Sequence, residues 1–252
     1  MSIICIIPAR GGSKGVKKKN LVKVGNYTLV ERALFTALGV KVLSRVIVSS
    51  DSDDIIKLVN KYGEYAPFKR PSELATDEAG SLGVIQHALK WAEKKDNKKY
   101  NYIVLLEPPC PFRLPRHVDQ GLKIIAEKNA TSVVSLVEVG DYHPIRMKKM
   151  DNNGALTGFY TNEPEGLRRQ DQDPAYIRNC AVSIFTRENV KSNALWGNRP
   201  FGFEMNNYLY SFNIDDQIDV LTCNIFYNEK KKAKTLDEIE QIPNINIEIK
   251  TN

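Results

Sequence analysis

The chain has 252 residues, 42% hydrophobic and 26% charged, which suits a globular protein with a substantial core. No apolar stretch reaches bilayer length and the N-terminus lacks the basic flank of a signal peptide, so a cytoplasmic protein with no membrane partner is expected. The net charge of +6 permits a nucleic-acid partner, but the lysines cluster at 17–19, 94–99 and 230–234 without interleaved aromatics or a nucleic-acid motif, and none is expected.

The apolar run Ser2–Ile7 reads as a strand buried on both faces. It breaks into Pro8-Ala9-Arg10-Gly11-Gly12-Ser13-Lys14-Gly15, followed shortly by Lys18-Lys19-Asn20. Glycines such as Gly11 and Gly12 let backbone N–H groups converge on a ligand, and the cations add charge-assisted contacts. The loop therefore suits a phosphorylated ligand, although it has neither the GxxxxGK[ST] nor the GxGxxG spacing. Thr28 and Glu31 form a capping box that starts a helix to about Leu38. Arg45–Ser50 reads as the next strand, and Asp51 or Ser52 caps a helix bearing Ile55, Ile56, Val59 and Tyr62. After a short extended piece at Ala66-Pro67-Phe68, Leu82, Ile85, Leu89 and Ala92 line one face of a helix from about Glu78 to Lys94. Asp77 is expected to cap that helix or to tether the loop before it.

Tyr102–Leu106 is a further apolar strand, ended by the rigid Glu107-Pro108-Pro109-Cys110-Pro111 loop. A helix over Pro115–Lys128 and a strand over Thr131–Val137 complete the alternation, which predicts an α/β fold with a mainly parallel sheet between helices. Ligands of such sheets bind beyond the carboxyl ends of the strands, where the glycine and proline loops both fall. Residues 141–178 break the pattern and read as an inserted subdomain, dividing the core into 1–140 and 179–252. Strands are expected at Ala181–Thr186 and Tyr208–Asp215, then a helix over about Asp216–Lys232. His87 and His117 read as packing or surface residues, and Trp196, Phe201 and Phe203 as core or pocket walls. The four cysteines, Cys5, Cys110, Cys180 and Cys223, have no CxxC pairing and read as reduced.

In order along the chain, several of these segments resemble the acylneuraminate cytidylyltransferases (CMP-sialic acid synthetases) and their relatives acting on other 2-keto sugar acids. The resemblance is carried by Ile7–Gly15 with Lys19-Asn20, by Val46–Asp51, and by Arg70-Pro71-Ser72-Glu73-Leu74-Ala75-Thr76-Asp77. It continues through Leu105-Leu106-Glu107-Pro108 with Pro111-Phe112-Arg113, Arg168-Arg169-Gln170, Tyr176-Ile177-Arg178-Asn179 and Phe212-Asn213-Ile214-Asp215.

That resemblance implies a Rossmann-like, three-layer (GT-A-like) nucleotidyltransferase in which a sugar hydroxyl attacks the α-phosphate of CTP and pyrophosphate leaves. It places Arg10, Ser13 and Lys14 against the triphosphate, Lys19 and Asn20 closing the site, Arg70 and Ser81 near the nucleotide, and the backbone of Pro8 and Ala9 on cytosine. A divalent metal, Mg²⁺ or Mn²⁺, is implied at an Asp-x-Asp pair that here reads Asn213-Ile214-Asp215, leaving Asp215 as the main ligand with Asn213 assisting. Arg168, Gln170 and Asn179 match sugar-acid contacts, and 141–178 matches a dimerisation element, implying a homodimer. Glu107 stands where the family has glutamine, and Cys180 and Ser183 where glycine and tyrosine are common, which points to a sugar acid other than N-acetylneuraminate. A carboxylate at Glu107 favours a ligand amine or hydroxyl over a nearby carboxylate. Two rival readings stand beside this one. One is a nucleotidyltransferase of the same fold using another nucleotide or sugar acid, such as an amino-substituted Kdo. The other is a catalytically silent nucleotide binder.

Overall fold

Residues 1–205 and 208–243 are described in the computed structural model of the chain, so 206–207 and 244–252 of the expected second core segment lie outside the described residues. The central strand is β1 (Ile3–Pro8). Its side chains alternate between two cores: Ile3, Cys5 and Ile7 enter one, Ile4 and Ile6 the other. A strand buried on both faces needs no polar side, which explains the unbroken apolar run.

After the glycine loop come a short hairpin, β2 (Lys23–Val24) and β3 (Tyr27–Thr28), and helix α1 (Leu29–Leu38). Its capping box is formed: the Glu31 N–H donates to Thr28 Oγ1 at 3.3 Å, and the Thr28 N–H donates to Glu31 Oε2 at 2.7 Å. Then follow β4 (Arg45–Ser49), α2 (Asp53–Val59), α3 (Ser81–Asp96), β5 (Tyr102–Leu105), α4 (Pro115–Glu127) and β6 (Ser132–Glu138). The insert carries a small hairpin, β7 (Lys148–Met150) with β8 (Leu156–Gly158). The chain closes with β9 (Tyr176–Thr186), α5 (Arg187–Lys191), β10 (Pro200–Glu204) and α6 (Gln217–Lys232).

The main sheet has the order β10-β6-β9-β5-β1-β4. β1 is parallel to β4 and β5, β10 is parallel to β6, and β9 runs antiparallel between β5 and β6. Helices α1, α2 and α4 cover one face, and α3 with α5 the other. The expected mainly parallel α/β arrangement is therefore present. A third cluster, including Val16, Val24, Phe112, Ile214, Cys223 and Tyr227, fastens the glycine loop, the hairpin and α6 beside the carboxyl ends of the strands.

Three elements differ from the sequence reading. The strand expected at Tyr208–Asp215 is instead a 3₁₀ turn at Tyr208–Ser211 followed by irregular chain. Its neighbour is the Pro108-Pro109 stretch, which offers no N–H groups to a ladder, and the link made there is the Ile214 N–H to Pro109 O at 3.0 Å. β9 begins at Tyr176, five residues ahead of the expected Ala181, so the end of the 141–178 segment belongs to the main sheet. The register against β6 shifts between Val134 and Leu136, and Cys180 adopts a left-handed φ of 58°, the signs of a bulge that sequence periodicity does not reveal. β10 was not anticipated; it opens on Pro200 and contains Gly202, whose added Cβ would lie 2.4 Å from Leu136 Cδ1. Proline and glycine are tolerated there because β10 is an edge strand.

Candidate active site

The sheet's carboxyl end opens into a cleft of about 380 Å³. Pro8, Arg10, Ser13, Lys14, Gly15, Lys19 and Asn20 form one wall, Arg70 and Ser81 a second, and Glu107, Pro108, Pro109 and Asp215 the remainder. Residues up to 207 positions apart in sequence thus meet at one opening. The strand order causes this: β1 and β5 are adjacent and parallel, so the loops that follow them leave the sheet side by side.

The glycine loop is pinned at four points. The Ala9 N–H donates to Ser49 O at 2.9 Å, extending the β1–β4 pairing past the strand end. The Gly11 N–H donates to Asp51 Oδ1 at 2.9 Å, and Asn20 Nδ2 donates to Arg10 O at 2.8 Å. At Gly15 the backbone presses on the late segment so closely that an added Cβ would fall 2.1 Å from Asp215 O. By contrast, a Cβ on Gly12 would meet nothing within 4 Å.

Four cations converge on this space. Arg10 and Lys14 share the Asp77 carboxylate, at 2.6 and 3.0 Å, and Arg10 also donates to Thr76 O at 3.2 Å. These partners hold the Asp77 carboxyl below the usual carboxylate range, the Lys14 hydrogen bond contributing most. Asp77 is therefore a tether and not the cap of α3, which starts at Ser81 with Gly80 in the capping position. Among the described residues no side chain caps that N-terminus. Its free N–H groups and the helix dipole face an anion at the cleft favourably. Lys19 Nζ bonds both Ile214 O and Asp215 Oδ1 at 2.9 Å, and Asn213 Nδ2 donates to Asp215 Oδ2 at 2.6 Å. Asp216 is removed from this group because its side chain caps α6 by accepting the Asp219 N–H at 2.9 Å.

Arg70 is 5% exposed and donates from Nε to Ser49 Oγ at 3.1 Å and also to Ser49 O. Burial lowers its pKa to about 10, so it stays charged at neutral pH. Glu107 is raised by burial, against the Cys180 hydrogen bond and the positive charge of Arg113, Arg178 and Lys19. Burial and then the Glu107 charge push the Cys180 thiol up to about 11, which keeps it protonated as the donor of that bond. Arg113 lies 2% exposed beneath the proline loop and donates from Nη1 to Ala181 O at 2.8 Å.

The other predicted sugar contacts sit elsewhere. Asn179 is buried, with Ser135 Oγ donating to its Oδ1 at 2.5 Å and the Ala181 N–H at 3.2 Å, so its amide belongs to the core between β6 and β9. Arg168 is exposed and bonded to Asp171 at 2.7 and 3.0 Å, and Gln170 is exposed beside it. Neither lines the cleft of its own chain. The sequence reading missed that Asp77 bridges Arg10 and Lys14, that Asp51 anchors Gly11, and that Gly15 contacts Asp215. Asp51 and Asp77 lay within the quoted motifs, but nothing local marks their partners.

A family model described as "Cytidylyltransferase" matches residues 4–249. "CMP-N,N'-diacetyllegionaminic acid synthase" of Campylobacter jejuni is 26% identical over 217 residues, covering 86% of this chain and 91% of that protein. "Pseudaminic acid cytidylyltransferase" of the same species is 36% identical over 176 residues, covering 70% and 75%. The chain spans about half the length of the N-acylneuraminate cytidylyltransferases it also matches in Streptococcus agalactiae and Escherichia coli, 52% and 56%. A solved CMP:2-keto-3-deoxy-manno-octonic acid synthetase complexed with CTP shares the fold at a TM-score of 0.65 and 13% identity, over 91% of this chain and 100% of that one.

Proposed function

The chain belongs to the cytidylyltransferase family, and on that footing we propose that it transfers CMP from CTP to a 2-keto sugar acid of the sialic acid or nonulosonate class. The observation that carries this reading is the meeting of Arg10, Lys14, Lys19 and Arg70 with the uncapped end of α3 in one cleft beside Asp215. The relatives' names, which include two nonulosonate-activating enzymes, support the acceptor class. In the reaction the acceptor hydroxyl oxygen bonds the α-phosphorus, its proton is lost, and pyrophosphate departs with the electrons of the broken P–O bond. Such chemistry rests on positioning and charge neutralisation. Arg10 and Lys14 neutralise the departing phosphates once they exchange Asp77 for them, each charge-assisted bond contributing roughly 1.5–3 kcal/mol. Lys19 holds Asp215 in register with the loop, and of the two residues expected on the base Pro8 lines the cleft while Ala9 is buried with its N–H on Ser49 O.

Asp215 and Asn213 suit a divalent cation, Mg²⁺ or Mn²⁺. The Asp215 side chain is 69% exposed, and its two oxygens accept from Lys19 Nζ and Asn213 Nδ2, donors that a cation would displace. A hard cation needs only one or two protein carboxylates when phosphate oxygens complete its shell. Bound there, it supplies neutralisation of phosphate charge. The 141–178 insert serves a homodimer in this reading. Support comes from its exposed Met150, Leu156 and Tyr160, and from Arg168, held by Asp171, and Gln170, both exposed outside their own chain's cleft.

Pyrophosphate release measured with CTP, UTP and GTP across a panel of 2-keto sugar acids tests the function. Release with CTP and at least one acid supports it. CTP binding without release from any acid would instead favour a silent nucleotide binder.

A further inference from the structure

The segment from Ala75 to Gly80 runs along the cleft between two fixed points, with Ala79 in the cleft lining. Before it, Arg70 Nη1 donates to Leu74 O at 3.4 Å at the end of a 3₁₀ turn over Ser72–Leu74. After it, Ser81 opens α3. Between those points Thr76, Asp77, Glu78 and Gly80 are exposed. Among the described residues, the polar links from this segment to the glycine loop are to Arg10 and Lys14 alone. The Asp77 carboxylate divides itself between them: Oδ1 takes Arg10 at 2.6 Å and Oδ2 takes Lys14 at 3.0 Å. Two phosphate oxygens would take the same pair of cations in the same way. A Cβ on Gly80 would meet nothing within 4 Å, so the segment has open space at its α3 end.

We propose that this segment is a strap latched by Asp77, and that Asp77 re-engaging Arg10 and Lys14 hastens the departure of pyrophosphate. The inference rests on the cytidylyl-transfer reading and gives its release step a residue. Charge sets the order of events. One carboxylate carries a single negative charge, so a triphosphate displaces it from both cations. After transfer, pyrophosphate has lost its covalent tie to the nucleotide, and Arg10, Lys14 and the α3 end are what retain it. A tethered carboxylate competes for those cations at an effective concentration that is roughly millimolar. It takes them one at a time, so neither cation is left bare as pyrophosphate leaves. The Arg10, Asp77 and Lys14 side chains are 34%, 42% and 80% exposed, so water screens the latch. Each pair then shifts the balance by no more than about fivefold, which leaves the latch weak enough for CTP to open. CMP has no phosphate in the place of the leaving group, so its binding does not depend on the latch.

The test is the binding and release of pyrophosphate itself, in magnesium buffer, by the native chain, Asp77→Asn and Asp77→Glu. Asparagine removes the charge at an exposed position and keeps the size, so the fold is spared. Calorimetry gives the Kd, and radiolabelled pyrophosphate chased with unlabelled gives the rate of departure. In Asp77→Asn, binding should be about two- to fivefold tighter and departure slower by the same factor, with the Kd for CMP unchanged. Asp77→Glu should lie closer to the native chain than to Asp77→Asn on both measures. Unchanged or weaker pyrophosphate binding in Asp77→Asn, a native departure rate, or an equal tightening of CMP overturns the proposal. So does Asp77→Glu behaving like Asp77→Asn, or a native chain that binds no pyrophosphate. These measurements use no acceptor. A failure of cytidylyl transfer would appear separately, as no pyrophosphate formed from CTP with any 2-keto sugar acid.

Discussion

Substituting Gly15→Ala tests whether the glycine loop and Asp215 act as one unit. The added Cβ would lie 2.1 Å from Asp215 O, where ordinary contact begins at 3.4 Å, so the two backbones must separate by a further 1.3 Å. Asp215 has little freedom to yield: Lys19 Nζ holds its carboxylate and the Ile214 carbonyl at 2.9 Å, its N–H donates to Asp219 Oδ2 at 2.8 Å, and Ile214 is fully buried. Gly15 does not use the left-handed backbone region, so alanine adds contact strain and no torsional penalty. The expected overpacking cost is about 1–3 kcal/mol, seen as a lowered Tm in a thermal melt. Displacing a reacting group by about 1 Å costs on the order of 100-fold in rate. Pyrophosphate release should accordingly show kcat reduced about 100-fold, with CTP affinity within a few-fold of native. Native turnover and an unchanged Tm would show that the loop and Asp215 do not cooperate, and would refute the reasoning.

The companion substitution Gly12→Ala meets nothing in the free protein and should leave Tm unchanged; if the backbone there approaches phosphate, CTP binding measured by titration should weaken about tenfold or more. Asp77→Asn frees Arg10 and Lys14 from an anion that CTP must displace, so the Kd for CTP should fall about two- to fivefold, and a rise in Kd would show that Asp77 orders the cations instead. His117 is 6% exposed and accepts the Leu114 N–H at Nδ1, and burial followed by the Arg116 and Arg113 charges lowers its pKa from 6.5 to about 4. The unfolded chain therefore binds a proton that the folded chain refuses between those values, so about 3 kcal/mol of stability is present above pH 6.5 and lost as pH falls to 4. Urea unfolding at pH 7 and pH 4 should show a smaller acid loss in His117→Gln than in the native chain; equal losses would remove His117 from the account.

What was legible in the chain follows from the range of the forces involved. The Thr28–Glu31 box spans three residues and forms without help from the rest of the fold. β1 is an unbroken apolar run because both of its faces meet helices, and proline and glycine mark the two loops that bound the cleft. The expected strand at Tyr208–Asp215 failed for a reason outside itself, since the chain beside it presents prolines without N–H donors. β10 was hidden by Pro200 and Gly202, residues admitted because no strand among the described residues pairs on its outer edge.

The candidate site divides in the same way. By itself the sequence determined that a cationic glycine loop follows a buried strand, that a proline loop follows another, and that the elements alternate so as to bring such loops to one end of a sheet. Which partners meet there was decided by the tertiary structure. Asp77 lies 63 residues beyond Lys14 yet neutralises it, Lys19 reaches across to Asp215, and Cys180 needs a bulge in β9 before its thiol can meet Glu107. Arg168 and Gln170, by contrast, stand outside their own cleft. A hydrogen bond or ion pair has a reach of a few ångströms and no memory of separation along the chain, so its existence depends on strand order and register, which no local stretch of residues records.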